Sequence, residues 1–501
     1  MAKLLDLPPE LLLTITSFLW SNQPAKKRLF EASNRRDRQT LANSLERERL
    51  SVIDLSSTCK ALYEVLQAEK YRIVSIHGHD SVQKLFSLLR LIRLRPEIGN
   101  HIQQLHLQLV PDLEVGNISR LSSDQLRFLK LWAETIGVFI DDEVLLNALK
   151  YETHENVEDS RYHPSRNGSS LDDHDETCLS ILYSMLCYYL QKVKEITLSG
   201  SWSRLSILPG QLLSPLRSRN LPHLQSLVLD TGLPRRFFMF MDSSEIRSVA
   251  EVANGISEVY LRGFILRHTI DMAYSNHFLH SLVLQDVQLP VNGGGSVYSF
   301  LESCKSLSKF IFLRTNNHHD MTLPRPLRMK NALKNSRNSL RTLCLYYGSG
   351  YYFPLRLWTI DTFEGFPRLE SLWFDAWSCG WAVRDGIETD KEIEVNEIGA
   401  DIEIESESNF AMEGLPTLTS AKKLVKTLPP SLRRLHIDGP MDRVYGNMTC
   451  LATHCRDGMM PRLKEVAFGE WNSKFAIDKV RSAFRKAGVN QCKVDKDVIM
   501  W

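Results

Sequence analysis

Ten times along this chain an apolar residue is followed by two open positions, a second apolar residue, one open position and a third apolar residue. The copies are IQQLHL, VKEITL, LQSLVL, ISEVYL, LHSLVL, LSKFIF, LRTLCL, LESLWF, LRRLHI and LKEVAF, beginning at Ile102, Val193, Leu224, Ile256, Leu279, Leu307, Leu340, Leu369, Leu432 and Leu463. So loose a hexamer arises by chance on the order of twenty times in a chain of this length, so its occurrence alone proves nothing. Spacing says more: from Val193 to Leu369 the steps are 31, 32, 23, 28, 33 and 29 residues. Four copies also share a Pro-x-Leu lead-in, PHLQSLVL, PRLESLWF, PSLRRLHI and PRLKEVAF. A proline just before a strand ends the preceding element without removing a ladder hydrogen bond. Between copies lie helix-like stretches such as SEIRSVAEVA and RMKNALKNSR. Each unit therefore reads as a strand plus a helix or turn that cannot bury its apolar face alone, and stacking units makes one continuous core. The expected fold class is α/β, an irregular solenoid of parallel strands with helices or turns. An α/β sandwich, or two α/β domains, is the alternative.

Two stretches interrupt the array. Residues 110–190 read as helical, with SSDQLRFLKLWAETIGVFI opening on a capping box and apolar spacing of three and four. The polar ENVEDSRYHPSRNGSSLDDHDET follows as a loop at about 152–176. Later, Arg384 to Ser408 carries ten acidic residues against two basic and accounts for the 63-residue step from Leu369 to Leu432. A solvated acidic loop over about 384–410 is expected there, with a hairpin or a site for a basic partner as the sharper readings. FAIDKVRSAFRKAGV reads as a final helix closing the stack.

The net charge of +2 gives no global attraction to nucleic acid or anionic membrane. Nine cysteines without repeated short spacing suggest reduced thiols in a cytoplasmic or nuclear protein. The longest apolar run, Ile181 to Leu190, is about half of what spans a bilayer, and Lys3 followed by acid and proline does not read as a secretory leader.

At the start of the chain, LLDLPPELLLTITSFLW predicts a short helix with Asp6 as cap and Pro8 and Pro9 in its first turn. Leu11, Leu12, Ile15, Phe18 and Leu19 share one face, while Leu13 and Trp20 fall opposite. Burial on all sides by its own chain, or one face left for something else, both satisfy that pattern. LPPELLLTITSFL resembles the opening of the F-box, at Leu7, Pro8, Glu10, Leu11, Leu12, Ile15 and Leu19. Asp54 to Ile76 is similar to the closing half, with Leu55, Cys59 and Leu62 at matching apolar positions. Between them lies a departure, a basic insertion at about 21–50 with eight Lys/Arg against four Asp/Glu from Pro24 to Arg49. A solvated loop is expected, since closure cost grows slowly with length; KKR and RRDR could also be an import signal.

F-box modules are small helical units that dock on a Skp-type adaptor and through it a cullin-based ubiquitin ligase. The repeats resemble the irregular leucine-rich repeats found behind many F-boxes, although the asparagine expected after each strand is mostly absent. The resemblance implies three regions: 1–76 an F-box, 77–475 a leucine-rich-repeat-like solenoid, and 476–501 a cap. It implies a non-catalytic substrate receptor, with Leu7, Pro8, Leu11, Leu12, Ile15, Leu19, Leu55 and Cys59 facing or organising the adaptor. A repeat scaffold without ubiquitination is the alternative, and an α/β enzyme a distant third.

No chemistry competes with that reading. VNGGGSVYSF lacks a Gly-Lys-Ser/Thr and fits a turn before a helix around Tyr298. Cys450 and Cys455 bracket His454 without a second pair at zinc spacing. His77–His79 and Asn316–Asp320 read as surface turns, and Cys379 has no base to activate it. No cofactor, metal, nucleic acid or membrane is expected as a partner. Tyr346 to Trp381 holds 12 aromatics in 36 residues, four of the nine tryptophans among them. If the residues between and after the core leucines face an open surface, Cys344, Tyr346, Trp373, Asp375 and Trp377 mark a surface for a client protein. Rings filling gaps in an irregular core is the other reading.

Overall fold

A computed structural model describes residues 7–17, 19, 35–77, 80–109, 121–136, 182–183, 185–200, 221–230, 239–241, 253, 255–266, 278–287, 294–314, 324–348, 360, 362–376, 427–439, 445–469 and 474–493. The chain divides into two compact units, Met1–Ser303 and Cys304–Ile499.

The first unit opens on helices α1 (Pro9–Ser17), α2 (Arg35–Ser57), α3 (Lys60–Val65) and α4 (Gln67–Arg72). Strand β1 (Ile73–His77), helices α5 (Ser81–Leu94) and α6 (Pro96–His101), strand β2 (Gln104–Leu109) and helix α7 (Ser123–Thr135) follow. Next come β3 (Glu195–Gly200), β4 (Ser226–Asp230), β5 (Met239–Met241), β6 (Glu258–Arg262), β7 (Phe264–Leu266), β8 (Ser281–Gln285) and α8 (Gly294–Ser303). The second unit contains β9 (Lys309–Leu313), α9 (Pro326–Ala332), β10 (Thr342–Tyr346), β11 (Ser371–Asp375) and β12 (Arg434–Asp438). It ends with α10 (Tyr445–Arg456), β13 (Glu465–Phe468), α11 (Lys474–Lys486) and β14 (Asn490–Lys493).

In each unit six strands pair in parallel and in chain order, β1-β2-β3-β4-β6-β8 in the first and β9 to β14 in the second. Strands β5 and β7 form a separate parallel pair. Strand order that never reverses lacks the switch point of a doubly wound sheet and is compatible with a repeat coil. All ten hexamers found in the sequence lie on these strands. Their second and third apolar positions stack into two rows in the first unit, Leu105-Ile196-Leu227-Val259-Leu282 and Leu107-Leu198-Leu229-Leu261-Leu284. Every member is buried. The second unit repeats this with Phe310-Leu343-Leu372-Leu435-Val466 and Phe312-Leu345-Phe374-Ile437-Phe468.

The first two hexamer positions have their own cause. The first residue is buried in all ten copies, and in the four proline-led copies it closes a turn. Leu224, Leu369, Leu432 and Leu463 donate their N–H to the carbonyls of Leu221, Phe366, Pro429 and Met460. That places Pro222, Pro367, Pro430 and Pro461 second in a four-residue turn, where a fixed φ is favoured. The second hexamer residue is polar in every copy and buried in none. Its carbonyl is the anchor: those of Gln103, Lys194, Gln225, Ser257, Ser308, Arg341, Glu370 and Arg433 each accept two consecutive N–H groups from the next copy, at 2.7 to 3.1 Å.

The helix read from SSDQLRFLKLW is α7. Ser122 Oγ accepts from the Gln125 N–H at 3.3 Å while Gln125 Oε1 accepts from the Ser122 N–H at 2.8 Å. RMKNALKNSR is α9 with a 3-10 turn after it, and the triple glycine leads into α8. The basic insertion is corrected in part: residues 35–50 are helix α2, continuing to Ser57, rather than a solvated loop. The helix is held because Leu45 and Val52, seven apart, are both buried, and Arg49 grips Glu46 at 2.6 and 2.9 Å beside them. Residues 21–34, the loops at about 152–176 and 384–410, nearly all of SEIRSVAEVA, Asn316–Asp320, Trp377 and Cys379 lie outside the described residues. The hexamer does not reveal β1 and β14 of the twelve strands paired in chain order within the two units, nor the short pair β5 and β7; β14 follows helix α11 and pairs with β13.

Among the described glycines the closest approach to another segment's backbone is at Gly99 in α6, where an added Cβ would sit 2.8 Å from the Tyr189 carbonyl oxygen and 3.3 Å from Ile92 Cγ2. A backbone atom cannot step aside as a side chain can. Gly99→Ala is expected to cost about 1–3 kcal/mol, read as a lowered urea midpoint. Gly365→Ala, with nothing within 4 Å of the new methyl, leaves the midpoint unchanged.

Candidate functional site

Helix α1 begins where the prolines require. Pro8 places its carbonyl to accept from Leu11 and Leu12 at 3.0 and 3.2 Å, and Pro9, which has no N–H to lose, is the first helical residue. The buried stripe of α1 is narrow, Leu12 and Thr16. Thr16 can be interior because its Oγ1 donates to the Leu12 carbonyl at 2.8 Å. Leu12 packs with Leu62 of α3 and with Leu66, and Leu7, Leu55, Cys59 and Val65 surround that cluster. Leu19 packs separately, on Val52 of α2 and Ile73 of β1.

These contacts sort the expected adaptor residues into two groups. Leu7, Leu12, Leu19, Leu55 and Cys59 organise the chain's own bundle. Cys59 also caps α3, its sulfur accepting from the Leu62 N–H at 3.5 Å. Pro8, Leu11 and Ile15 remain on the surface. Leu11 is 49% exposed, Ile15 40% and Leu13 38%, so the apolar residues flanking the buried stripe on both sides face solvent. Leu50 of α2 and Tyr63 of α3 are exposed apolar residues of the same bundle. Sequence spacing does not single them out, because it fits a core position in α2 and α3 equally well. Beside Tyr63, the Lys70 ammonium lies 3.6 Å above the ring. Burial together with the neighbouring Arg95 charge pulls Lys70 below its ordinary pKa, with Tyr63 opposing.

The second expected surface is corrected. Tyr346, Trp373 and Asp375 are buried, as is Cys344. Neighbouring parallel strands are about 4.8 Å apart, so rings at the same or a diagonal position cover one another. Trp373 and His436 share a register, with ring centroids 6.3 Å apart, and Tyr346, two residues along β10 from Cys344, the register partner of Trp373, meets the Trp373 ring diagonally at 5.2 Å. Asp375 is structural: its Oδ2 accepts from the Tyr347 N–H at 3.1 Å, closing the exit of β10. Burial pushes the Tyr346 phenol and the Cys344 thiol well above their ordinary pKa values, the charges of Asp438 and Asp375 adding to each in turn. Neither is an available acid or nucleophile at neutral pH.

Cys450 and His454 do not make a nucleophile and base. Cys450 Sγ lies 3.3 Å from His454 Nδ1, but that nitrogen is also 2.8 Å from the Cys450 carbonyl oxygen. A carbonyl only accepts, so Nδ1 carries the proton and cannot take one from the thiol. Among the described residues no group of three or more His, Cys, Asp or Glu could hold a metal ion, and no helix is long and apolar enough to cross a membrane. No known protein family matches the chain, and no curated protein is similar enough to match it.

His436 supplies a pH test of this packing. Burial holds its imidazole below the ordinary 6.5, outweighing the Glu465 carboxylate 3.3 Å from Nε2. Below that pH the unfolded chain binds a proton that the folded chain does not, so stability falls as pH is lowered from about 6.5. In His436→Asn the loss of urea midpoint between pH 7.5 and 5.5 is expected to shrink. An undiminished loss contradicts the burial.

Proposed function

We propose that the chain is an F-box protein, the substrate-recognition subunit of a Skp–cullin–F-box ubiquitin ligase, working in the cytoplasm or nucleus. One observation carries the reading: the helix that bears the F-box-like residues is only half packed by its own chain, with Leu11, Leu13 and Ile15 exposed beside a single buried stripe. A surface helix needs one apolar face; a second is explained by a separate polypeptide that covers it. The adaptor is that polypeptide. With 38–49% of each residue still exposed, covering the remainder contributes roughly 1 kcal/mol apiece. In this reading the chain forms no ubiquitin bond itself. It brings a client, held by the parallel-strand units, to a ligase recruited through α1.

The packing of α1 decides which variant tests this. Leu7 is part of the internal cluster, so its removal confuses folding with docking. Leu11→Ser with Ile15→Ser alters exposed residues only. The wild-type chain is expected to co-purify with a Skp-type adaptor, and the double variant to lose it while keeping the wild-type urea midpoint. Leu12→Ala is expected to destabilise the bundle by about 2–5 kcal/mol. Wild-type adaptor binding by the exposed-face double variant overturns the assignment.

A further inference from the structure

Helices α5 and α7 lie side by side in the first unit. Gln83 and Gln125 exchange amide hydrogen bonds at 3.1 and 3.2 Å, and the Phe86 and Phe128 rings meet edge to face with centroids 6.2 Å apart. The core-facing positions of both helices are filled: Val82, Leu85, Phe86, Leu89 and Ile92 on α5, and Leu126, Leu129, Trp132 and Ala133 on α7. Three further apolar residues stand outside those positions. Leu94 is 77% exposed, Leu131 64% and Phe128 38%. None of the three is among the buried positions of the two helices, and Phe128, although its ring meets Phe86, keeps part of its surface in solvent.

Cations outnumber acids around them, five to two within the bounds of the two helices. Helix α5 holds three cations and no acid within its bounds. Lys84 is paired with Asp80 at 2.8 Å, and on α7 Lys130 lies 3.9 Å from Glu134. Arg90, Arg93 and Arg127 are exposed, and among the described residues none of the three has a carboxylate partner. Arg93 is also pre-placed: its guanidinium carbon lies 5.0 Å from the Phe128 ring centroid and 5.2 Å from that of Trp132. Trp132 is itself held by Nε1 donating to Tyr189 Oη at 2.9 Å. An arginine held on two rings loses little freedom when it takes a carboxylate, and its planar fork suits one.

We propose that the joint face of α5 and α7 is a docking surface for an acidic peptide segment carrying aliphatic side chains. The three arginines would take carboxylates, and Leu94, Phe128 and Leu131 would receive the aliphatic groups between them. Nucleic acid fits this face less well. Its affinity comes chiefly from many phosphate contacts, whereas three cations alternate here with leucines, and α7 adds Asp124 and Glu134. The proposal does not depend on the adaptor reading, because α1 takes no part in it.

The test uses the full chain and a short fluorescein-labelled peptide of glutamates and leucines, with fluorescence anisotropy as readout. Binding is expected, weakening as salt is raised. Arg90→Glu with Arg127→Glu is expected to weaken it by about tenfold or more, and Leu131→Ser by about threefold to tenfold. All three positions are exposed, and an unchanged urea midpoint verifies the fold. Arg328→Glu with Arg337→Glu, an equal charge change on exposed residues of the second unit, should leave binding intact. The proposal is overturned if the lysine-for-glutamate peptide binds equally well or if the control pair weakens binding as much. It also fails if Leu131→Ser has no effect, or if a single-stranded oligonucleotide binds more tightly through the same arginines.

Discussion

The arrangement rests on a carbonyl shared between two donors. At the entrance of each repeat, one backbone oxygen accepts consecutive N–H groups from the copy that follows, in eight copies among the described residues. The first donor belongs to the residue before the strand and the second to the strand's first residue. Two bonds to one acceptor fix both where the next strand begins and which way its side chains face. A slip of one position would put every core leucine on the opposite face. The anchoring oxygen needs no particular side chain, only an extended backbone with the side chain directed outward. Gln, Lys, Ser, Arg and Glu all serve. The chain can therefore tolerate steps as unequal as 23 and 63 residues between copies, because each strand is positioned locally by its predecessor.

That local rule explains what can be read from sequence. The three apolar positions of the hexamer are forced by burial and the second position by exposure, so all ten strands are visible despite weak overall regularity. The capping box of α7 is visible because two short side chains and two amides suffice to make it. Strands β1 and β14 are hidden because the pattern is incomplete where they lie. Aligned by register with their neighbours, Tyr71 takes the first apolar position ahead of β1 and Gly488 takes it ahead of β14. In β14 the other two apolar positions are Gln491 and Lys493. Helix α2 is hidden by its charge. Its only described fully buried aliphatic side chains are Leu45 and Val52, too few to stand out from the arginines and glutamates between them.

The candidate site is legible in part, and the split is informative. Periodicity identifies α1 as apolar on more than one side, and the structure leaves Leu11, Leu13 and Ile15 uncovered. It cannot say that Thr16 is interior, because a threonine looks polar until its hydroxyl is returned to its own helix. The aromatic stretch fails in the opposite sense. Tyr346 and Trp373 have the composition of a binding surface, but composition does not report the neighbours on adjoining strands. Once β10, β11 and β12 align, His436 falls directly beside Trp373 and Tyr346 diagonally across from it, so the three rings cover each other in series.

Burial there changes where recognition can occur. A strand whose two faces are both filled reads as a run of buried positions, as β4 and β8 do in full and β10 and β11 do in all but their first residue. Such strands have no side chain to offer a partner without unpacking a neighbour. Helices are different, because a helix packed along one stripe keeps the rest of its circumference in solvent. Among the described residues, the large apolar side chains that are exposed follow this division. Leu11, Leu13, Ile15, Leu50, Tyr63, Leu94, Phe128 and Leu131 lie on helices of the first unit, Phe278 and Met459 lie in turns, and none lies on a strand. Among the described residues the strands serve chiefly the core, and the apolar surface left over for other molecules is chiefly helical.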